Sequence, residues 1–358
     1  MKFLHMADMH FDAPFSFLNM KKNLGETRRL EQRSVFKEII KYVKDNDIDY
    51  LLISGDLYEH EYVRKSTIDF INDCFKEIKN TKILITPGNH DPYIKDSIYD
   101  TYEFESNVFI FNKPELQKYE DDNVIIYGMA FDGFYMNNSL LENVKPENKD
   151  KINILMAHAD VNGSKDDEGL EYNPIAERYL KDTGFNYIAL GHIHKNNFDL
   201  NEDFVYPGST IAFGFDELGN HGVVVGEIIN NILTKEFLRF DKRIFEELEL
   251  NIDSFSSKES LLEYVLGFNL RKDTMYKLIL TGHRNFEINT REIIKSFDNI
   301  NILKIKDMTK TSYDLHELAK ENNLKGIFIR KVIERGKMEN LTQDEVEKII
   351  EIGLEAMD

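Results

Sequence analysis

A chain of 358 residues is longer than one small core requires, and its single cysteine, Cys74, excludes both an internal disulfide and a thiolate-rich zinc site. The net charge of −19 argues against broad attraction to nucleic acid, so any DNA contact has to come from local basic patches, bound metal or a partner. No apolar run reaches membrane-spanning length, the start MKFLHMADMH lacks the apolar stretch of a signal peptide, and a lone thiol fits a reducing compartment; the expected location is cytoplasmic.

Residues 3–7 read as a first strand. Val35, Phe36, Ile39, Ile40 and Val43 then recur at helical spacing. Residues 50–54 form a short continuous apolar run, the mark of a strand buried on both faces. Ile68, Ile71, Cys74, Phe75 and Ile78 mark a second helix, which makes Cys74 a buried helix residue rather than a reactive thiol. Further strands are predicted at 83–86, 108–111, 124–129, 152–157, 187–190 and 222–229. This alternation predicts an α/β layered domain over 1–240, with ligands gathered beyond the carboxyl ends of its strands. The pattern changes near Asp241. Strand 247–251, helix 257–268, strand 276–281, helix 289–297 and strand 300–306 predict a small α+β domain over 241–310. Segment 311–358 is helical and charged. There Thr342 and Glu345 form a capping box opening a helix with Val346, Ile349, Ile350, Leu354 and Met357 on one stripe. That helix either packs on its own domain or offers a partner-binding face.

Five polar clusters follow the apolar strands: Asp8-Met9-His10, Gly55-Asp56, Gly88-Asn89-His90-Asp91, His158, and Gly191-His192-Ile193-His194. They hold five of the ten histidines, which scattered core histidines do not explain. Side chains two apart in an extended segment point the same way, so Asp8 and His10 can face one site, as can His192 and His194. Imidazoles with carboxylate and amide oxygens suit manganese, iron or zinc better than calcium. A carboxylate such as Asp56 can bridge two ions about 4 Å apart. Singly, each cluster has a plain reading: an accidental D-x-H, a Gly-Asp turn, an Asx turn, an interior hydrogen-bonded histidine. Their common position at strand ends favours the metal reading.

The order D-x-H, GD, GNHD, lone His and GHxH resembles the calcineurin-like metallophosphoesterase superfamily over residues 1–240. The resemblance implies an α/β four-layer sandwich, two mixed sheets flanked by helices. It implies two divalent ions, one held by Asp8, His10, Asp56 and His194, the other by Asp56, Asn89, His158 and His192. Manganese is the expected ion, with iron or zinc as alternatives. By the same resemblance His90 binds the phosphate and protonates the leaving oxygen. The stretches Asp8–Phe15, Ser54–Tyr58 and Val205–Thr210 are similar to the SbcD/YhaO branch of DNA repair exonucleases, and the α+β domain matches that branch's capping domain in position. The branch implies a manganese-dependent DNA nuclease, a homodimer and a coiled-coil SMC-like ATPase partner.

One position departs from the break-repair nucleases of that branch. Three residues after Asp56 they carry a phosphate-contacting histidine; this chain has Glu59, followed by His60. Ser/Thr phosphatase relatives carry an acid there, paired to the catalytic histidine. Glu59 is therefore either the carboxylate that orients His90 or an exposed loop residue, and His60 is a further candidate for touching substrate. The departure favours YhaO over the break-repair nucleases. Asp12 and Asp91 read as turn caps, with support of the site from behind its ligands as the lesser alternative, and His5, His221, His283 and His316 as structural or solvent-facing. Basic pairs at Lys21-Lys22, Arg28-Arg29, Arg64-Lys65, Lys242-Arg243 and Arg330-Lys331 are either DNA contacts or solvated surface. Besides a nuclease, a small-molecule or nucleotide phosphodiesterase or phosphatase stays open, as does a non-catalytic scaffold; the scaffold would have lost ligand types that are all present here.

Overall fold

The computed structural model describes residues 1–15, 24–139, 141–163, 169–198, 204–297, 301–312 and 315–357; Lys21-Lys22 and the side chain of His316 lie outside the described residues. The chain divides into two units, Met1–Glu246 with Asp273–Met275, and Glu247–Lys272 with Tyr276–Asp358.

The first unit is built on two mixed sheets. Strands β1 (Lys2–Met6), β2 (Tyr50–Ile53), β3 (Lys82–Ile85) and β4 (Val108–Ile110) run parallel in that order, and Gly222–Ile229 then Ile232–Arg239 extend the β1 edge antiparallel. In the second sheet β5 (Gln117–Glu120) pairs antiparallel with β6 (Val124–Gly128), followed in parallel by β7 (Ile152–His158) and Tyr187–Gly191. Period-two alternation sorts the side chains. Phe3, Tyr50, Leu52 and Leu84 from the first sheet share one core with Ile126, Ile154, Met156, Tyr187 and Ala189 from the second. The opposite face of the first sheet, with Leu4, Leu51, Ile53 and Ile83, is fully buried as well. Successive right-handed crossovers put α1 (Leu24–Asp45) and α2 (Lys65–Lys76) on that face. Val35, Phe36, Ile39, Ile40 and Val43 are all buried on α1, and Cys74 is buried on α2. The outer face of the second sheet packs under Leu141, Ile175 and Leu180.

Most strands fall within a residue or two of their predicted bounds. Ile232–Arg239 was not predicted: it is an edge strand whose residues alternate between exposed and half-buried, so it carries no continuous apolar run. Asn230 and Asn231, at φ 51° and 63°, make the tight hairpin turn that launches it, as Asn pairs do with little strain.

A buried ion pair ties α1 to this region. Arg28 is 0% exposed and donates to both carboxylate oxygens of Asp241 at 3.1 Å and to the carbonyl of Ala212 at 2.8 Å. Breaking such a pair costs about 3–5 kcal/mol, because the remaining charge stays buried. Arg28 is thus a structural residue, which corrects its reading as half of a surface basic pair. Lys242 and Arg243 are engaged too, by Glu38 and Glu31.

A three-stranded sheet of order Ile244–Asn251, Thr274–Thr281, Ile302–Asp307 lies mostly in the second unit. Helices Lys258–Leu266 and Thr290–Ser296 accompany it, and Leu261, Val265, Leu278, Leu280, Ile293 and Phe297 share its core. The capping box of Thr342 and Glu345 forms as expected at the start of Gln343–Glu355. On that helix Ile350 and Leu354 are buried with Ile329 of Leu324–Met338, whereas Ile349 and Met357 are exposed, so the stripe is only partly covered. Among the described residues no helix is long and apolar enough to cross a membrane.

His5 lies wholly inside the sandwich, its Nδ1 2.9 Å from the Tyr187 hydroxyl and its Nε2 without a partner. Burial pushes its pKa down to about 3, so it is neutral in the fold. The unfolded chain takes up that proton below about pH 6.5, so the stability His5 confers is complete above that pH and is lost as the pH falls towards 3. The unfolding midpoint should accordingly fall more steeply between pH 6.5 and 4 in the wild type than in His5→Gln. Parallel curves would show that His5 carries its charge in the folded state.

Candidate metal centre

The site sits where β1, β2, β3, β7 and Tyr187–Gly191 end. Each strand passes directly into a tight turn carrying the polar residues. Asp8, His10, Asp56 and His192 all have positive φ, at 51°, 47°, 53° and 104°. For non-glycine residues that conformation costs on the order of 1–3 kcal/mol each and persists only when the surroundings enforce it. The loops also approach closely. A Cβ on Gly191 would lie 1.8 Å from the Ser54 carbonyl oxygen, and one on Gly88 would lie 2.3 Å from Asp56 Oδ1.

Three imidazoles define the chemistry. His10 turns Nδ1 to Glu59 Oε1 at 2.8 Å, His194 turns Nδ1 to Glu217 Oε1 at 2.6 Å, and His158 turns Nδ1 to the Ser54 carbonyl at 2.9 Å. With each Nδ1–H donated, every Nε2 of the neutral rings presents a lone pair. These lone pairs face other acceptors. His10 Nε2 is 3.0 Å from His194 Nε2, while His158 Nε2 is 3.0 Å from Asn89 Oδ1 and 3.3 Å from Asp56 Oδ2. Acceptors crowded in this way repel unless protons or cations lie among them. Imidazole nitrogen and carboxylate oxygen without thiolate is a donor set for manganese, iron or zinc. A carboxylate or carbonyl behind each ring is the support that metal-ligating histidines use. The residues present therefore fit divalent metal.

Ligand atoms gather in three overlapping sets: Asp8, His10 and His194; His10, Asp56 and His90; and Asp8, Asp56 and His158. Asp8, His10 and Asp56 each belong to two of them, and Asp56 Oδ1 also accepts the backbone N–H of His90 at 2.9 Å. Asn89 joins through its 3.0 Å approach to His158. The ring of His192 is in none of the three sets. Its backbone N–H donates to Asp8 Oδ1 at 3.0 Å, and its ring packs between His158, 5.2 Å away, and Tyr172, 5.1 Å away.

The electrostatics attract positive charge. Burial raises the Asp56 carboxyl, but the rings of His158, His10 and His90 outweigh it and hold the group well below the usual carboxylate range. Burial disfavours charge on His158 and His194 as well. Asp56 and Asp8 overcome this for His158, Glu217 and Asp8 for His194, and both rise to about 9. Those protons stand where a metal ion would displace them.

Glu59 is no exposed loop residue. Its side chain is 15% exposed; one oxygen takes His10 Nδ1, and the other takes His90 Nδ1 at 2.9 Å. Burial works against its charge, yet these two bonds bring it down to about 2. His90 stands at the open edge, 46% exposed in its side chain. Burial lowers it, the Glu59 bond raises it more, and it stays an imidazolium up to about pH 9. His60 donates its backbone N–H to the His90 carbonyl at 2.9 Å, and its ring meets Phe134.

Sequence reasoning missed Glu217, which fixes His194, accepts from Ser209 Oγ at 2.8 Å and from the Phe213 N–H at 3.0 Å, and belongs to no recognisable motif. It also undervalued Asp91. One Asp91 oxygen accepts the N–H groups of Asp56 and Gly88, and the other accepts Leu57 N–H and Tyr99 O–H, so it laces two loops together. Asp12 caps α2 from a different loop, through the Arg64 N–H and Thr67 hydroxyl. His221 is buried between Ser209 and the Glu217 carbonyl, and His283 is exposed.

Glu217→Ala should weaken binding of one manganese ion by about 10- to 100-fold in equilibrium dialysis, the usual effect of losing a carboxylate behind a ligating histidine. Unchanged affinity would remove Glu217 from the support of the centre. Asp56→Ala should lose most of the occupancy of both ions by elemental analysis; two full equivalents in that variant would contradict a shared ligand.

The sequence also matches a known family. Residues 1–196 match the family described as calcineurin-like phosphoesterase. The chain is 23% identical over 290 residues to the uncharacterized metallophosphoesterase YhaO of Bacillus subtilis, covering 78% of this chain and 69% of that protein. It is 28% identical over 272 residues to the SbcD component of the SbcCD nuclease of Staphylococcus epidermidis, covering 66% of this chain and 68% of the relative. Among solved structures, a dimetal phosphatase from Danio rerio aligns over 67% of this chain and 99% of its own, at 8% identity and a TM-score of 0.39. The chain belongs to the calcineurin-like phosphoesterase family, with relatives of the SbcD and YhaO kind.

Proposed function

We propose that this phosphoesterase is a two-metal phosphodiester hydrolase acting as a manganese-dependent DNA nuclease in repair, in the cytoplasm and together with an SMC-like ATPase. The observation that carries the hydrolase reading is Asp56, shared by two ligand sets, with the donor His90 beside it at the open edge. Asp8, His10, Asp56 and His194 would hold one ion, and Asp56, Asn89, His158 and His192 the other. Bound there, the ions supply charge neutralisation and an activated water. The chain's own residues do the rest. His90 carries a proton through neutral pH and is open to solvent, so it can donate to the departing oxygen. Glu59 holds that ring by Nδ1, leaving Nε2 to face the substrate.

The nuclease reading is supported by the staphylococcal relative, which is named as part of a nuclease. A homodimer and an ATPase partner follow from the same resemblance. The net charge of −19 and the engagement of Arg28, Lys242 and Arg243 in ion pairs make such a partner the natural source of positive charge.

His90→Ala should keep its metal content and lose about 10²-fold or more in turnover, the scale of a general acid; wild-type turnover would remove His90 from the reaction. In manganese, defined DNA strands should be cut in preference to cyclic and dinucleotide substrates. Cleavage of the small esters alone would make the protein a nucleotide phosphodiesterase, and metal-loaded protein inert to every ester would make it a scaffold.

A further inference from the structure

The chain contains 25 phenylalanines and 17 tyrosines, and nearly all those described are at least partly buried. Only Tyr62, Phe134, Tyr135 and Tyr264 are exposed among the described residues, at 51%, 48%, 52% and 52%. Three of these four lie on two segments that border the metal centre. The turn Glu59–Tyr62 begins with the residue bonded to His90, and His60 is joined to His90 through the backbone. Segment 131–136 starts at Phe131, whose ring is 5.6 Å from that of His158. It crosses His60 at Phe134, with 5.7 Å between ring centroids, and ends at Met136, which bridges to Tyr172, the residue stacked on His192. The aromatics thus stand along the rim on the His90 side.

An exposed aromatic ring loses contact with water readily, and a solitary one needs no explanation. Three on one rim, in a chain that buries almost all the others, do. The neighbouring charge narrows the choice of ligand. Arg64 and Lys65 follow Tyr62 and are exposed, and the net charge of the chain is −19, so a long polyanion held by charge alone is disfavoured. Stacking of bases on aromatic rings tolerates any sequence and needs no excess of cations.

We infer that Tyr62, Phe134 and Tyr135 form a ledge on which unpaired nucleobases stack while their phosphate lies at the metal centre, so that the substrate is a single strand or a frayed end rather than intact duplex. This rests on the phosphodiesterase reading above and adds the base as a recognised group. The phosphate is positioned by the centre, the base by the ledge, and the sugar spans the two. Arg64 and Lys65, exposed and two and three residues beyond Tyr62, would supply charge for a neighbouring phosphate.

The test uses the full-length, manganese-loaded protein, with Tyr62→Ala, Phe134→Ala and Tyr135→Ala made singly and together. The probes are a fluorescent single-stranded oligonucleotide and the same strand carrying tetrahydrofuran abasic residues, with metal content and unfolding midpoint checked for every variant. The wild type should bind the normal strand more tightly than the abasic one. The variants should bind the normal strand roughly 5- to 100-fold more weakly per lost stack and leave abasic binding unchanged. Equal losses on both strands, or none on either, would overturn the ledge while leaving hydrolysis of DNA intact. A wild type that cleaves bis-p-nitrophenyl phosphate but neither binds nor cuts any oligonucleotide would overturn ledge and nuclease together. A dimer that dissociates in the triple variant, with strand cleavage unchanged, would give this face to a second copy and equally overturn the proposal.

Discussion

Crowded electron pairs at the ends of five strands set the terms for the first unit. His10 Nε2 faces His194 Nε2 at 3.0 Å, and His158 Nε2 faces Asn89 and Asp56 oxygens at 3.0 and 3.3 Å. Without protons or cations among them, such atoms repel one another. The group is held from behind by Glu59, Glu217 and the Ser54 carbonyl, and from below by two sheets sharing one core. The apolar core supplies the stability against which several residues at positive φ, and a tightly packed group of imidazoles and carboxylates, are kept in place.

The scaffold achieves this through parallel strands. β1, β2 and β3 run in one direction, so their carboxyl ends lie on one edge, and β7 with Tyr187–Gly191 brings the second sheet's ends to meet them. Residues far apart in the chain, such as Asp8 and His192, then touch directly. Asp91 binds the loop after β2 to the loop after β3, and Asp12 binds the loop after β1 to α2. The loops form one interlocked surface rather than five independent turns.

Charge is managed at two scales. Within the centre, acids and imidazoles invite cations. Over the rest of the described first unit, Arg28, Lys242 and Arg243 are used for internal pairing, while Arg64 and Lys65 stay exposed. With a net charge of −19, such a chain gains little from long-range attraction to a polyanion.

The sequence by itself determined the strands and the chemistry at their ends. Continuous apolar runs such as Tyr50–Ile53 bury on both faces wherever they fold, and five polar clusters all placed at strand ends exceed what turn formation needs, although each alone could be a turn or a core histidine. It left Glu59 undecided between two roles and gave no sign of Glu217, because a carboxylate's partner depends on which loop lies opposite, and spacing along the chain does not encode that. Arg28 looked like surface charge for the same reason: its partner, Asp241, is 213 residues away. Edge strand Ile232–Arg239 was hidden because half its side chains meet solvent. Only the tertiary structure decided which lone pairs face each other, which charges are already paired, and which aromatic rings stay uncovered, since each is a property of residues brought together through space.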